Sequence, residues 1–132
     1  MIIVDTNILA YLLLPSDRVA EAQTLLQTDA YWAAPLLWRS EFRNTTLAYL
    51  RAGRITLHQA EQAVLEASLY LLAGEHVVAD NAVLHLAFRH KCSAYDCEYV
   101  ALAEAMGTIL VTEDKALLKA FPQRCRSITQ VI

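Results

Sequence analysis

The sequence is poor in the residues that punctuate a chain: three glycines and three prolines in 132 residues. That scarcity argues against a many-turned β-sandwich and for long helices. Charged residues are also sparse at 19%, against 56% hydrophobic, so an unfolded or tail-like chain is excluded and a substantial buried core is implied. No apolar run reaches the ~20 residues of a membrane-spanning helix; the densest, Ile8 to Leu14, stops at Pro15-Ser16-Asp17. No basic leader with a small-residue cleavage site opens the chain, and a cytoplasmic protein is expected. Basic residues are not in surplus, the formal charge being −3, which counts against unaided nucleic-acid binding. Bound divalent cations would change that local balance. The three cysteines, Cys92, Cys97 and Cys125, form no metal-type pair and are expected to be reduced thiols. His58, His76, His85 and His90 lack metal-ligand spacing, and there is neither a nucleophile elbow nor a glycine-rich phosphate loop.

What is present alternates between two periodicities. Met1 to Val4 is a short continuous apolar run, as in a strand buried on both faces. Helices are expected over Ile8–Leu14 and Asp17–Thr28, with a strand over Ala30–Ala34 closed by Pro35. Trp38, Phe42, Thr45 and Tyr49 then recur at helical spacing up to a glycine stop at Gly53. Thr56–Leu72 reads as a helix with Ala60, Ala63, Val64, Ala67 and Leu71 on one face. A short strand over Glu75–Ala79 follows, then a helix capped by Asp80 and running to about Lys91. Ser93–Met106 is a helix ended by Gly107, Thr108–Val111 a strand, Asp114–Phe121 a helix and Arg126–Val131 a final strand. The pattern predicts one α/β domain over residues 1–132, with a central parallel sheet of four to five strands flanked by about seven helices.

Ligands of such sheets collect at the carboxyl ends of the strands. Asp5 directly follows the first strand, and Asp114 follows Ile109-Leu110-Val111 by way of Thr112. Both also suit a helix N-cap, and capping and catalysis remain open for each. Asp96 stands in a Ser-x-x-acid box with Ser93, where the same two readings compete. Glu41 lies on the apolar face with Leu37, Trp38, Phe42 and Ala48, an expensive place for a carboxylate without a partner. Arg39 or Arg43 could supply that partner, or a metal could. Together the four acids offer oxygen ligands to a hard cation such as Mg²⁺ or Mn²⁺. They would also repel one another when that cation is absent.

Four stretches carry a family resemblance. Met1-Ile2-Ile3-Val4-Asp5-Thr6-Asn7-Ile8-Leu9 resembles the opening of PIN-domain proteins, and Ser40-Glu41-Phe42 their second acidic motif. Tyr95-Asp96-Cys97-Glu98-Tyr99-Val100-Ala101-Leu102-Ala103 resembles the third, and Leu110-Val111-Thr112-Glu113-Asp114 the fourth. Order, spacing and length agree over essentially the whole chain, and the pattern is similar to VapC-type ribonuclease toxins. The resemblance implies a PIN-like fold, Mg²⁺ or Mn²⁺ dependence, hydrolysis of RNA phosphodiesters, a homodimer and a small neutralising antitoxin. It assigns Asp5, Glu41, Asp96 and Asp114 as catalytic metal ligands, Asp5 and Asp96 directly and Glu41 and Asp114 partly through water. Thr6, Asn7 and Thr112 match polar residues that orient those carboxylates. Glu98 and Glu113 are read as surface charges, and Arg39, Arg43, Arg89 or Lys115 as possible phosphate contacts. Cys97 departs from the pattern, which favours a small apolar residue there.

Two other classes use aspartates in comparable places: a phosphatase with one after its first strand, and a phospho-accepting domain with a cluster of them. A haloacid-dehalogenase phosphatase needs a second acid where Asn7 stands, and a receiver domain needs paired acids near the N-terminus. A PIN-like module that binds RNA or protein without cutting is the remaining alternative.

Overall fold

The computed structural model describes residues 1–132. Five strands, β1 (Ile2–Val4), β2 (Trp32–Pro35), β3 (Glu75–His76), β4 (Leu110–Val111) and β5 (Cys125–Arg126), form one sheet in the order β3-β2-β1-β4-β5. Every pairing is parallel; Ile3 stands opposite Ala33 on one side and Leu110 on the other. Parallel strands need crossovers, and β1 reaches β2 through helices α1 (Thr6–Leu13) and α2 (Val19–Thr28), and β2 reaches β3 through α3 (Trp38–Arg51) and α4 (Leu57–Tyr70). Helices α5 (Asp80–His90), α6 (Ala94–Ala105), α7 (Lys115–Ala120) and α8 (Ile128–Val131) complete the chain.

Covering both faces explains why β1 is a run of buried residues rather than an alternation. Helix α6 is buried almost all round, at Cys97 and from Tyr99 to Ala103, and packs on β1, β2 and β4. Small residues at Ala101 and Ala103 let it lie close to the sheet. α4 turns Ala60, Ala63, Ala67 and Leu71 inward, the face its sequence marks. α3 ends as expected at Gly53, whose φ of +70° suits the C-cap turn in which Arg54 N–H reaches the Tyr49 carbonyl. Its start is tied to β3: Glu75 accepts hydrogen bonds from Trp38 Nε1 (2.8 Å) and from Arg39 at two atoms (2.6 and 2.7 Å).

Three local expectations are corrected. Arg126–Val131 is not a strand: only Cys125–Arg126 pairs with the sheet, and Ser127 and Gln130 cap each other to start α8. Asp80 does not cap α5; it is the first helical residue, after Ala79. Pro35 belongs to β2, at its last position, where a missing N–H costs little. No helix is long and apolar enough to cross a membrane. All three cysteines are free thiols.

Candidate active site

Because the strands are parallel, the residues that follow β1, β2 and β4 emerge on one edge of the sheet. Asp5 leaves β1 and caps α1, its Oδ1 accepting the Thr6 N–H at 2.7 Å. Asp114 follows β4 and caps α7, its Oδ1 accepting the N–H groups of Ala116 (2.8 Å) and Leu117 (3.2 Å). Glu41 sits in the first turn of α3, just past β2. Asp96 sits in the first turn of α6, which returns toward the start of β4 and therefore begins at this edge. All four carboxylates are half-buried. Helix N-termini carry partial positive charge, which offsets part of the cost of gathering acids here.

Two hydrogen-bonded groups hold the acids. In the first, Thr112 Oγ1 donates to Asp5 Oδ2 at 2.7 Å and accepts the Asp114 N–H at 3.0 Å, so one fully buried hydroxyl links two acids. In the second, Glu41 Oε1 accepts from Tyr99 Oη at 2.6 Å and Thr6 Oγ1 at 3.2 Å, and the two hydroxyls lie 2.8 Å apart. The partners of Glu41 are thus hydroxyls, not arginines, since Arg39 is committed to Glu75. Asp96 is held differently. Ser93 Oγ caps α6 by accepting the Asp96 N–H at 3.0 Å, and the same hydroxyl side chain bonds the Asp96 carboxylate and favours its charged form.

The electrostatics follow from this crowding. Burial, more than its neighbours, pushes the Asp5 carboxyl up to about 6, with the charges of Glu41 and Asp96 adding to it. Burial and the nearby Asp114 charge raise Asp96 as well. Glu98 is raised by burial and by Glu41, so it borders the site instead of standing apart from it as a surface charge. Glu113 is structural: it pairs with Arg18 at 3.1 Å and accepts the Ile128 N–H at 2.8 Å, anchoring α8. Tyr99, buried and strongly disfavoured as a phenolate, is the site residue the sequence hides, because an aromatic among Val100, Leu102 and Ala103 reads as core.

None of the four acids takes part in an ion pair; the salt bridges of the chain all lie elsewhere. Burial holds Cys97 up at about 11 and Cys125 at about 12, so nearby sulfur is protonated and the available donors are carboxylate oxygens. In the first turn of α1, the buried Asn7 Oδ1 has no hydrogen-bond partner. An all-oxygen, net-negative donor set without a protein counter-ion fits a hard divalent cation. No three His, Cys, Asp or Glu side chains close into a ready-made cage, so water would complete any coordination sphere. A cleft of about 540 Å³ lies beside the acids, lined by Leu36, Val77, Val83, Leu84 and others, and meets the site at Glu98.

Comparison with known proteins places the fold. The PIN domain model matches residues 2–121. Ribonuclease VapC3 of Pyrobaculum aerophilum is 31% identical over 133 residues, spanning 92% of this chain and 95% of the relative. A crystal structure of a Pyrobaculum aerophilum protein superposes with a TM-score of 0.78 at 22% identity, covering 98% of this chain and 91% of that one. A toxin–antitoxin complex from Klebsiella pneumoniae gives 0.70 at 18% identity, covering 97% and 98%. FitAcB from Neisseria gonorrhoeae gives 0.64 at 18%, covering 98% and 99%. With a parallel five-stranded sheet, a family match over almost all its length and a relative above 30% identity, this chain belongs to the PIN domain family.

Proposed function

We propose that the protein is a divalent-metal-dependent endoribonuclease of the VapC type, the toxin of a toxin–antitoxin pair. The observation that carries this reading is the gathering of Asp5, Glu41, Asp96 and Asp114 at one sheet edge with no cation of the chain's own among them. A relative named as a VapC ribonuclease and a structural neighbour solved as a toxin–antitoxin complex support the substrate and the context.

Asp5 and Asp96 would hold Mg²⁺ or Mn²⁺, with Glu41 and Asp114 acting partly through water. A cation held there would supply polarisation of a phosphoryl oxygen and a bound water of lowered pKa. The chain's own residues do the positioning. Thr112 fixes the rotation of Asp5, and the Thr6 and Tyr99 hydroxyls fix Glu41. Asp114 keeps one oxygen on its helix cap and leaves the other free. No side-chain nucleophile is required. Arg43, Arg89 and Lys115 are in no ion pair and remain candidates for flanking phosphates, whereas Arg39 is already engaged with Glu75.

A homodimer and a small antitoxin belong to the same proposal. Val77 and Leu84, 83% and 63% exposed, line the cleft that meets the site at Glu98; Phe88 on the same helix as Leu84 and Tyr95 at the start of α6 are also exposed, and exposed apolar patches mark interfaces. Light scattering at micromolar concentration should show the dimer, and a monomer throughout would refute it.

Cleavage of single-stranded RNA by the purified protein tests the activity. It should require Mg²⁺ or Mn²⁺, stop in EDTA, and fall by at least about 100-fold in Asp96→Asn with the fold intact. Intact RNA under all conditions would favour the non-cutting binding module.

A further inference from the structure

The Glu41 carboxylate is held more elaborately than a structural acid needs. Its Oε1 is approached by two hydroxyls on different elements, Tyr99 of α6 at 2.6 Å and Thr6 of α1 at 3.2 Å, which are themselves 2.8 Å apart. Three oxygens in a triangle share two hydroxyl protons. The shortest edge identifies the Tyr99 proton as the one given to the carboxylate, a charge-assisted bond. The Thr6 proton then goes to Tyr99 Oη or to the same carboxylate oxygen. With Oε1 occupied in this way, Oε2 is the oxygen of Glu41 without a protein donor.

Tyr99 and Asp96 lie three residues apart on α6, so one helix face carries both an acid of the site and the hydroxyl that clamps another. Thr6 donates its N–H to Asp5 and its hydroxyl into the triangle, so α1 bridges Asp5 and Glu41 in the same manner. Tyr99 is fully buried and its ring packs within the core. A phenylalanine would fill that space equally well; only the hydroxyl requires tyrosine. No acid of the set has an arginine or lysine to restrain it, so hydroxyls are what keep Glu41 from turning away from the other three.

We propose that Tyr99 is a positioning residue of the site, whose hydroxyl locks Glu41 Oε1 so that Oε2 is presented as a single-oxygen ligand to the metal or its water. The proposal rests on the metal-dependent reading above and adds a residue to it.

The test uses Tyr99→Phe in the whole protein, alone and combined with Glu41→Gln, with two readouts: Mn²⁺ affinity by calorimetry, without RNA, and steady-state cleavage of an oligoribonucleotide. Outer hydrogen-bonding partners of metal ligands are worth about 10–100-fold in affinity or activity. Tyr99→Phe should therefore weaken Mn²⁺ binding about 10-fold and lower kcat by a similar factor with KM unchanged. In the Glu41→Gln background it should change either quantity by less than about twofold, because the group it acts through is already altered. Thr6→Val, which removes the other hydroxyl, should give a smaller loss that Glu41→Gln likewise abolishes. Val100→Ala, a core truncation on the same helix, should lower the melting temperature and leave Mn²⁺ affinity alone. If Tyr99→Phe behaves like Val100→Ala, or its losses multiply with those of Glu41→Gln, Tyr99 is only core and the proposal falls. A wild type that binds Mn²⁺ but cuts no RNA refutes the nuclease reading, and the calorimetry still decides Tyr99. A wild type that binds no Mn²⁺ refutes both.

Discussion

Replacing Asp5 by asparagine should make the metal-free protein melt higher than the wild type at neutral pH. The Asp5 carboxyl titrates at about 6 in the folded state against an ordinary 3.8, and burial is the largest cause. Each pKa unit corresponds to about 1.4 kcal/mol, so holding Asp5 ionised costs the folded state about 3 kcal/mol above pH 6. The direction matters. A carboxyl whose folded pKa is raised favours folding while it is protonated, and that contribution is lost as pH climbs from about 4 to about 6. Mutual repulsion alone, at about 3 kcal/mol for each close pair, would suggest a larger sum. The structure makes repulsion the lesser cause, behind burial.

Asparagine is as good an N-cap as aspartate, so the bond from Thr6 N–H survives. The bond from Thr112 does not survive unchanged: its hydroxyl donates to Asp5 Oδ2 and already accepts the Asp114 N–H, and an amide nitrogen facing it offers nothing to receive its proton. That mismatch costs about 1 kcal/mol. The net gain is about 2 kcal/mol, or about 8 °C in a chain of this size. Near pH 4 the gain vanishes and the mismatch remains, so the variant should melt slightly lower there. Mn²⁺ at about 100 times its Kd adds about 2.7 kcal/mol to the wild type and less to the variant, which reverses the neutral order. Thermal melts at the two pH values, in EDTA and in excess Mn²⁺, decide the matter. A variant that melts lower in EDTA by the same margin at both pH values, with Mn²⁺ shifting both proteins equally, would show that Asp5 is only a helix cap.

Asp114→Asn separates capping from chemistry at the other acid: the cap on Ala116 and Leu117 should persist with little change in melting temperature, while metal-dependent cleavage falls at least about 10-fold. Glu75→Gln should lower stability by about 1 kcal/mol near neutral pH, because Trp38 and Arg39 both donate to Glu75 and Arg39 is 41% exposed. The Arg39 bond holds the Glu75 carboxyl below its ordinary 4.5, so this contribution is present above that value and should fade in melts taken below about pH 4. Gly74→Ala should cost about 2–3 kcal/mol by denaturant titration, since an added Cβ overlaps the Trp32 carbonyl oxygen and lies 2.9 Å from Ala33 Cα; unchanged stability would mean that β2 can shift to make room.

The features legible in the sequence are those governed by local rules. An apolar triplet ending in Asp5 can only be a buried strand followed by a turn, and the Ala60, Ala63, Ala67, Leu71 spacing fixes the inner face of α4. One error comes from a competing local signal, and one omission from contacts between distant residues. Ile128 and Val131 invite a strand by β-propensity, but Ser127 and Gln130 close a capping box, a signal that was present and outweighs two branched side chains. Glu41 is correctly read as a carboxylate on an apolar face. Its partners, 35 and 58 residues away, are hydroxyls that no helical spacing reveals. Tyr99 is invisible for the same reason: in a buried helix every aromatic looks like packing until its oxygen is seen to have a partner.

The sequence poses capping and catalysis as rivals at Asp5, Asp96 and Asp114, and a count of oxygens leaves room for both at each. A carboxylate has two oxygens and about four lone-pair positions, whereas a cap uses one or two of them. Asp114 caps with Oδ1 and keeps Oδ2, and at Asp96 it is Ser93 Oγ that accepts the helix N–H. Asp5 receives donors on both oxygens, yet each accepts only one. The helix N-terminus is also where a negative charge is least costly, by about 0.3–1 kcal/mol. A parallel sheet delivers several such termini to one edge. Capping is therefore part of how a chain of this size keeps four carboxylates together, and the site arises where strand ends and helix starts coincide.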